Sequence, residues 1–321
     1  MARRKLLICG ATGFIGRNLL ARFAARDDFE VHALQFTRPA VEMPGVTWHR
    51  ADLRQADEVE KLVAGCEVII QAAATTSGSK DIVTRPYIHT TDNAVMNSLL
   101  LRAAFDAKVK HFVFFSCSVM YPSRETPLRE DDWNAATPLE PRYFASGWTK
   151  VYIEKMCEFY ARLGTTRHTV IRHSNIYGPH DKFDLERSHV FGATVTKVMS
   201  ATGDAIRVWG TGEEARDLLF VADLVDFVEC ALERQTTPFE LFNAGCGRAV
   251  SVNEMVAKII AASGRALKVE HDLDQPSIKT SLSLDCGKAK RELGWEPRTD
   301  LANGIAATIA WWRKEIGPPR A

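Results

Sequence analysis

Several features of specialised protein classes are missing from this sequence of 321 residues. It has no run of about 18 apolar residues, which argues against a membrane-spanning helix. The net charge is only +1, so there is no electrostatic case for binding nucleic acid or a membrane surface. Hydrophobic residues make up 46% and charged residues 25%, which is typical of a globular protein.

Disulfide and metal patterns are also missing. The seven cysteines are odd in number and form no CxxC pair, and the nine histidines do not fall near them at ligand spacing. We therefore expect reduced, mostly buried thiols and no metal site. The apolar stretch Leu6–Cys9 is too short for a signal peptide and runs into a glycine motif, so the expected location is the cytoplasm.

Short apolar segments alternate with amphipathic ones through the first half of the chain. The strand candidates are Lys5–Cys9, Val31–Phe36, Val46–Arg50, Val68–Ala72, His111–Ser116 and His168–Arg172. The helix candidates are Phe14–Arg26, Gln55–Ala64, Asp92–Asp106 and Ser146–Leu163. This alternation predicts an α/β fold with a doubly wound parallel sheet of the Rossmann type.

The pattern changes after about residue 176, where loops rich in glycine, proline and charge alternate with helices. A capping box at Ser251–Glu254 predicts a helix that ends before Gly264, and Leu301–Lys314 is the last helix candidate. We predict a dinucleotide-binding domain over residues 1–175 and a smaller C-terminal lobe, mainly substrate-binding, over 176–321. Whether the chain crosses back between them is left open.

A glycine-rich loop follows the first strand candidate and opens the first helix candidate. Gly10 permits a tight turn, Gly13 lets the backbone approach a pyrophosphate, and Gly16 lets the helix pack closely. The start of the helix then presents free N–H groups to the phosphates. The predicted cofactor contacts are Gly10, Thr12, Gly13, Phe14, Ile15 and Gly16. A purely structural turn is the alternative interpretation.

The Gly-x-x-Gly-x-x-Gly spacing resembles the extended branch of the short-chain dehydrogenase/reductase superfamily, the NAD-dependent epimerases and dehydratases. Ala51-Asp52-Leu53 matches the family's adenine contact, and Ala72-Ala73-Ala74 matches the backbone that lies beside the cofactor ribose. The resemblance therefore implies that Asp52, Leu53, Ala72, Ala73 and Ala74 also contact the cofactor.

The second strand candidate ends without the acidic residue that binds the ribose hydroxyls of NAD. Arg38 follows it instead, and a cation favours the 2′-phosphate of NADP. The sequence therefore favours NADP over NAD, with Arg38 as a contact. Arg38 as an ordinary solvated charge is the alternative.

A series of motifs in the second half is similar to the GDP-L-fucose synthase branch of the family. The motifs are Asn175–Phe183, Ser188–Val190, Val208–Gly212 and Arg216–Leu219. The resemblance implies a nucleotide-sugar substrate. Asn175 would contact the sugar, with His189 as an acid/base and Val190 beside it. Lys197 and Arg216 would meet the diphosphate, and Trp209 would line the nucleotide pocket.

The family's catalytic Ser, Tyr and Lys are incomplete here. The family's Tyr and Lys, four residues apart, share a helix face, and the cation lowers the pKa of the phenol. Lys150 fits this pattern, but Ser146 stands where the tyrosine would be, and a serine hydroxyl is a much weaker acid. Cys117 occupies the family's serine position, and Val119 occupies that of a cysteine acid/base in this branch.

Four interpretations of this altered site are open. The enzyme inverts a stereocentre beside a carbonyl, with Cys117 and His189 as proton carriers. Tyr143 supplies the phenol, provided that the helix begins after it and the chain folds back, since seven residues span about 10 Å of helix. A water molecule replaces the phenol. Finally, the protein binds a nucleotide sugar and cofactor without turnover. In the blander interpretation, Cys117 is an inert thiol and Ser146 a helix cap.

The preferred hypothesis is an NADP-dependent nucleotide-sugar epimerase, with an added 4-keto reductase activity left open. Its substrate would be a GDP- or dTDP-linked 4-keto-6-deoxy-hexose. The catalytic candidates are Lys150, Cys117, His189, Ser146 and Tyr143. The family commonly dimerises through two helices of each subunit, which implies a homodimer through Asp92–Asp106 and Ser146–Leu163.

Overall fold

A computed structural model describes residues 3–75, 86–185, 188–274 and 280–317. In chain order its strands are β1 Arg4–Cys9, β2 Phe29–Gln35, β3 Val46–Arg50, β4 Val68–Gln71, β5 His111–Phe115, β6 Arg167–His173, β7 Asn175–Tyr177, β8 Ala205–Trp209, β9 Ala215–Phe220, β10 Phe239–Ala244, β11 Ala249–Ser251, β12 Lys268–Asp272 and β13 Ser281–Leu282. The described α-helices are α1 Phe14–Ala24, α2 Ala56–Val63, α3 Pro86–Asp106, α4 Phe144–Leu163, α5 Val190–Ser200, α6 Val221–Arg234, α7 Val252–Ser263, α8 Gly287–Leu293 and α9 Leu301–Glu315.

Seven parallel strands form the central sheet, in the order β3-β2-β1-β4-β5-β6-β10. The strand order reverses between β1 and β4, so the loops that follow these two strands diverge to opposite sides. In doubly wound sheets the crevice at this reversal, beyond the carboxyl ends of the strands, is where ligands bind. The predicted Rossmann-type fold is confirmed.

The centre of the sheet is buried on both faces because strands β1, β4 and β5 are mostly apolar. Successive side chains of β1 alternate between two core clusters, with Leu6 and Ile8 in one and Leu7 and Cys9 in the other. Every residue of β4 and β5 is buried. Such continuous apolar strands are expected where helices cover both faces of a parallel sheet. No helix of the described residues has the length and apolar character to cross a membrane.

The C-terminal part builds a second, smaller core. β9 pairs with β7, β11 and β13, and β8 pairs with β12. Helices α5, α7 and α9 pack on it through residues such as Phe191, Val256 and Ile309. Ser251 caps α7 as predicted, since its Oγ accepts the Glu254 N–H at 3.1 Å.

The chain returns to the large sheet after building part of the smaller lobe. β10 pairs with β6 at the edge of the sheet, and α6 packs beside α1 through the ion pair of Arg22 with Asp226 at 2.7 Å. The sequence analysis had not predicted this strand. The domain boundary near residue 175 stays a prediction.

Candidate active site

The glycine loop lies against the loop that follows β4. Gly10 has a φ of +73°, and a Cβ added there would lie 2.6 Å from the Ala73 nitrogen and 2.7 Å from the Ala72 carbonyl. A Cβ on Gly16 would collide with the Gly10 carbonyl oxygen. Glycine at both positions therefore allows β1, α1 and the Ala72–Ala74 segment to meet at the reversal of strand order.

The first turn of α1 is suited to an anion. Gly13 is its N-cap, with no side-chain cap and no acidic residue in the first turn, and the Gly13 N–H donates to the Gly10 carbonyl at 2.9 Å. The N–H groups of Phe14, Ile15 and Gly16 have no acceptor within the helix, because these are its first positions. A cofactor pyrophosphate fits this cradle. Thr12 belongs to the same loop and is partly buried.

The adenine end of the predicted site contains Asp52, Leu53 and Arg38. Arg54 donates to the Asp52 carboxylate from Nε at 2.9 Å and from Nη2 at 2.8 Å, and this lowers the pKa of Asp52. Leu53 is buried beneath, while Arg38 is exposed in the loop after β2. The roles of all three stay predictions.

Lys150 and Cys117 lie together beyond the carboxyl end of β5. Lys150 Nζ donates to the Phe115 carbonyl at 2.7 Å and lies 4.7 Å from the centre of the Phe114 ring. Burial lowers the pKa of Lys150, and the nearby Cys117 opposes that shift. Burial raises the pKa of Cys117, while Lys150 and the Val119 N–H favour its thiolate.

Ser146 and Tyr143 stand at the start of the helix that carries Lys150. The helix begins at Phe144 with Tyr143 as its N-cap, so Ser146 lies inside the first turn and the expectation that it caps the helix is wrong. Ser146 Oγ donates to the Tyr143 carbonyl at 3.3 Å. The helix thus begins after Tyr143, while no hydrogen bond within the described ranges joins the Tyr143 hydroxyl to Lys150 or Cys117, so the role of Tyr143 stays a prediction.

The predicted sugar and diphosphate contacts lie around the start of α5. His189 is the N-cap of this helix and Val190 its first residue. Desolvation lowers the pKa of His189, and the charges of Lys182 and Arg216 lower it further. Arg216 Nε is buried without a hydrogen-bond partner in the described part of the chain, which fits a place for a phosphate oxygen. Asn175 Nδ2 donates to the Asp217 carbonyl at 3.4 Å.

Lys197 and Trp209 are brought together at the end of β8. Lys197 Nζ lies 5.7 Å from the centre of the Trp209 ring and donates to the Arg207 carbonyl at 2.8 Å. The indole is 49% exposed, so one aromatic surface is open to a planar base with a cation beside it. Burial lowers the pKa of this lysine.

The sequence analysis missed His173, the last residue of β6. Its Nδ1 lies 2.7 Å from the Ser174 carbonyl oxygen. Burial lowers the pKa of His173 to about 4, and the positive charges of Lys150 and His189 add to the effect. A polar residue at the carboxyl end of a parallel strand is the signal that could have found it.

A buried network beneath this cluster was also missed. Arg172 donates to the Glu154 carboxylate at 2.7 and 3.0 Å, and Ser116 donates to the same carboxylate at 2.5 Å. Arg172 also donates to the Tyr121 hydroxyl at 3.1 Å, which donates to Asn243 at 2.8 Å. Glu154 stands four residues after Lys150 in the sequence, and this helical spacing was the available signal.

The doubly wound sheet, the glycine loop at its strand reversal and Lys150 on α4 define a dinucleotide-binding fold with ionisable side chains beyond the carboxyl ends of its strands. The chain belongs to the NAD dependent epimerase/dehydratase family, whose model matches residues 6–245. The predicted family is thereby confirmed, and with it an enzyme family of the extended short-chain dehydrogenase/reductase type.

Individual proteins are similar to this chain over nearly its whole length. GDP-L-fucose synthase of Azorhizobium caulinodans is 30% identical, with 96% of each chain covered. A dTDP-4-dehydro-6-deoxy-D-allose reductase of Streptomyces is 28% identical, with 97% of each covered. The crystal structure of UDP-glucose 4-epimerase from Thermotoga maritima superposes with a TM-score of 0.85 at 24% identity, covering 97% of this chain and 99% of that one.

Proposed function

We propose that this protein is an NADP-dependent nucleotide-sugar epimerase that acts on a GDP- or dTDP-linked 4-keto-6-deoxy-hexose. The observation that carries the proposal is the group of ionisable side chains around Lys150. Lys150 Nζ donates to the carbonyl of Phe115, which lies two residues before Cys117, and the Phe115 ring meets the His173 ring with centroids 6.2 Å apart. Thiol and imidazole groups suit proton transfer at carbon, whereas Ser146 leaves no phenol beside Lys150.

In the proposed reaction, the chain's own residues move a proton beside the sugar ketone. The Cys117 thiolate removes the proton from the adjacent carbon, and the electron pair of that C–H bond moves toward the ketone oxygen to form an enolate. His189 returns a proton to the opposite face, which inverts the centre. Lys150 favours the thiolate by its charge and orients the cofactor. Bound cofactor would supply hydride chemistry if a reduction follows.

The nucleotide part of the proposal rests on the C-terminal lobe. Arg216 has a buried Nε with no described partner, and Lys197 stands beside an exposed indole, which suits a diphosphate and a base. The names of two similar proteins specify GDP- and dTDP-linked sugars, which supports a 6-deoxy-hexose carried by either nucleotide.

A second candidate function is binding of nucleotide sugar and cofactor without turnover. The observation that favours it is Ser146, whose hydroxyl donates to the backbone of its own helix turn. The cradle at α1 would still hold a cofactor in such a protein, so binding alone does not separate the two functions.

The deciding experiment incubates the protein in heavy water with GDP- and dTDP-linked 4-keto-6-deoxy sugars. NADPH or NADH absorbance and the sugar NMR spectrum are followed together. We expect deuterium at a carbon beside the ketone. Cys117→Ala should slow its uptake by about 10²–10⁴-fold, the usual contribution of a positioned acid or base. Cys230→Ala, on the remote helix α6, is the matched control and should exchange normally.

The outcomes separate the candidates. Deuterium uptake without NADPH loss means an epimerase alone, and uptake with NADPH loss means an epimerase and reductase. Full exchange in both Cys117→Ala and His189→Ala would show that the acid/base assignment is wrong. Neither signal with any of these sugars, despite measurable NADPH binding, would favour the binding protein.

The choice of NADP rests on the loop after β2. Arg38 is exposed there, and Gln35 Oε1 accepts the Ala40 N–H at 2.7 Å, so no carboxylate occupies the end of the strand. A 2′-phosphate is attracted by such a cation, and a carboxylate would repel it. The same absorbance assay should therefore give a lower KM for NADPH than for NADH.

We also propose a homodimer through helices α3 and α4. Large apolar side chains remain exposed on these helices, and those of Val95, Phe144, Tyr152, Phe159 and Leu163 are between 39% and 61% exposed. Sedimentation should give the mass of two chains, and Phe159→Glu should shift it to one. Leu273→Glu, at an exposed position elsewhere, should leave the dimer intact. A single-chain mass for the unmodified protein would contradict the proposal.

A further inference from the structure

His173 and Cys117 stand side by side at the ends of neighbouring strands. Phe115 of β5 pairs with Ile171 of β6, and the next N–H along, that of Ser116, donates to the Ile171 carbonyl at 2.8 Å. Both residues lie two positions beyond this last pair. The imidazole thus belongs to the same strand-end edge as the residue that replaces the family's catalytic serine.

The hydrogen bond of His173 fixes which ring nitrogen is free for chemistry. A carbonyl oxygen only accepts, so Nδ1 carries the proton that is donated to Ser174 at 2.7 Å. In the neutral ring, Nε2 therefore has the lone pair. Nε2 has no hydrogen-bond partner among the described residues, and it is not sealed from solvent.

The His173 ring lies close to the backbone group that holds Lys150. Its edge meets the Phe115 ring, with centroids 6.2 Å apart, and the Phe115 carbonyl accepts the bond from Lys150. The charged groups acting on it are Lys150 of α4 and His189 at the start of α5. The pKa of His173 is thus lowered both by the residue predicted to hold the cofactor and by the one predicted to face the sugar.

We propose that His173 replaces the missing phenol, and that its Nε2 exchanges the proton of the sugar oxygen during a 4-keto reduction at this site. This inference rests on the proposed nucleotide-sugar function and adds a proton donor for its reductive step. The carbonyl carbon gains a hydride, which bound NADPH would supply, and the C=O π pair moves to oxygen. That oxygen takes the proton from Nε2 of the imidazolium, which is left neutral. In the reverse direction, the Nε2 lone pair accepts the hydroxyl proton.

The first test compares proton donors by mutation. His173→Ala should lower NADPH oxidation by about 100-fold or more but retain deuterium uptake beside the ketone. Adding Ser146→Tyr to His173→Ala should restore NADPH oxidation, since it places a phenol four residues before Lys150. His271→Ala, an exposed histidine bonded to Asn253, is the control and should change neither signal.

The pH profile gives an independent signature. The fraction of imidazolium falls about tenfold per pH unit above the pKa of His173, which lies at about 4. NADPH oxidation by the unmodified protein should therefore rise as the pH is lowered from 8 to 6. The double variant should show a shallower rise, because the pKa of the phenol, even when Lys150 lowers it from about 10, lies well above that of His173.

A measurement without turnover completes the test. The imidazole NMR signal that disappears in His173→Ala should titrate near pH 4 in the unmodified protein. Its midpoint should rise in Lys150→Met, because a cation that opposes protonation has been removed. A midpoint that Lys150→Met does not move would show that the His173 ring does not face Lys150 and would overturn the proposal.

The remaining outcomes separate this inference from the proposed function. NADPH oxidation at the unmodified rate in His173→Ala overturns the role of His173 alone. Deuterium uptake without any NADPH oxidation by the unmodified protein also overturns it and leaves the epimerase function standing. Loss of both signals in the unmodified protein removes the proposed function together with the inference.

Discussion

Gly10→Ala should weaken NADPH binding by on the order of 100-fold, or about 2.8 kcal/mol. A left-handed conformation costs a non-glycine residue about 1–2 kcal/mol. The added Cβ would also lie 2.6 Å from the Ala73 nitrogen, so the backbone after β4 must move away from the glycine loop. Helix α1 packs on the Gly10 carbonyl through Gly16. A displaced glycine loop would therefore also move the first turn of α1, where the cofactor pyrophosphate is expected to bind.

Gly65→Ala is the matched control for this substitution. Gly65 has a φ of +72°, nearly the same as Gly10, but nothing lies within 4 Å of a Cβ added there. Both variants therefore carry the same backbone strain, and only Gly10→Ala disturbs the cradle. Fluorescence titration with NADPH should separate them, while thermal melts report the strain. Equal NADPH affinity in the two variants would show that the close approach of Gly10 does not shape the cofactor site.

Arg172→Met should lower the free energy of unfolding by about 3–5 kcal/mol, because it leaves the Glu154 carboxylate buried without its cation. Both side chains are less than 5% exposed, and the arginine also donates to the Tyr121 hydroxyl. Arg172→Met should also disturb the positions of Lys150 and His173 in the candidate active site. Glu154 lies one helical turn from Lys150, and Arg172 directly precedes His173.

Arg102→Met provides the comparison for Arg172→Met. Arg102 pairs with Asp106 on the surface of α3, with both side chains more than half exposed. Such a pair contributes at most about 0.5 kcal/mol. Urea unfolding should therefore give a much lower free energy of unfolding for Arg172→Met than for Arg102→Met. Adding Glu154→Leu to Arg172→Met should restore part of the lost stability, because the unpaired buried charge is then removed. Similar midpoints for both single variants would contradict the structural importance of the buried pair.

Local patterns were enough to predict most of the large sheet. The strand Val46–Arg50 was predicted with its observed bounds, and Lys5–Cys9 differs from β1 by one residue. Helix α3 is already formed at residues 86–91, before the predicted start at Asp92, because the polar residues there break the apolar period although they are helical. Strand β10 could not be predicted, since among the described residues it pairs with β6, far earlier in the chain.

Only the parts of the candidate site that follow from local sequence patterns were predicted. The glycine loop and the Ala72–Ala74 segment each follow a strand, and the parallel sheet brings the two loops together. His173 was missed because the predicted strand ended at Arg172 and because its surroundings come from α4 and α5. No sequence pattern predicts that the charges of residues 150 and 189 both act on the pKa of His173.

The return of the chain to the large sheet sets the order in which the protein can fold during synthesis. β6 is complete at His173, but β10, which covers its open edge, ends about 70 residues later at Ala244. At roughly 5–20 residues per second, that edge would emerge unpaired for several seconds. An open strand edge of this kind invites pairing with other chains. The nascent protein is therefore most prone to aggregation while the ribosome is making its smaller lobe.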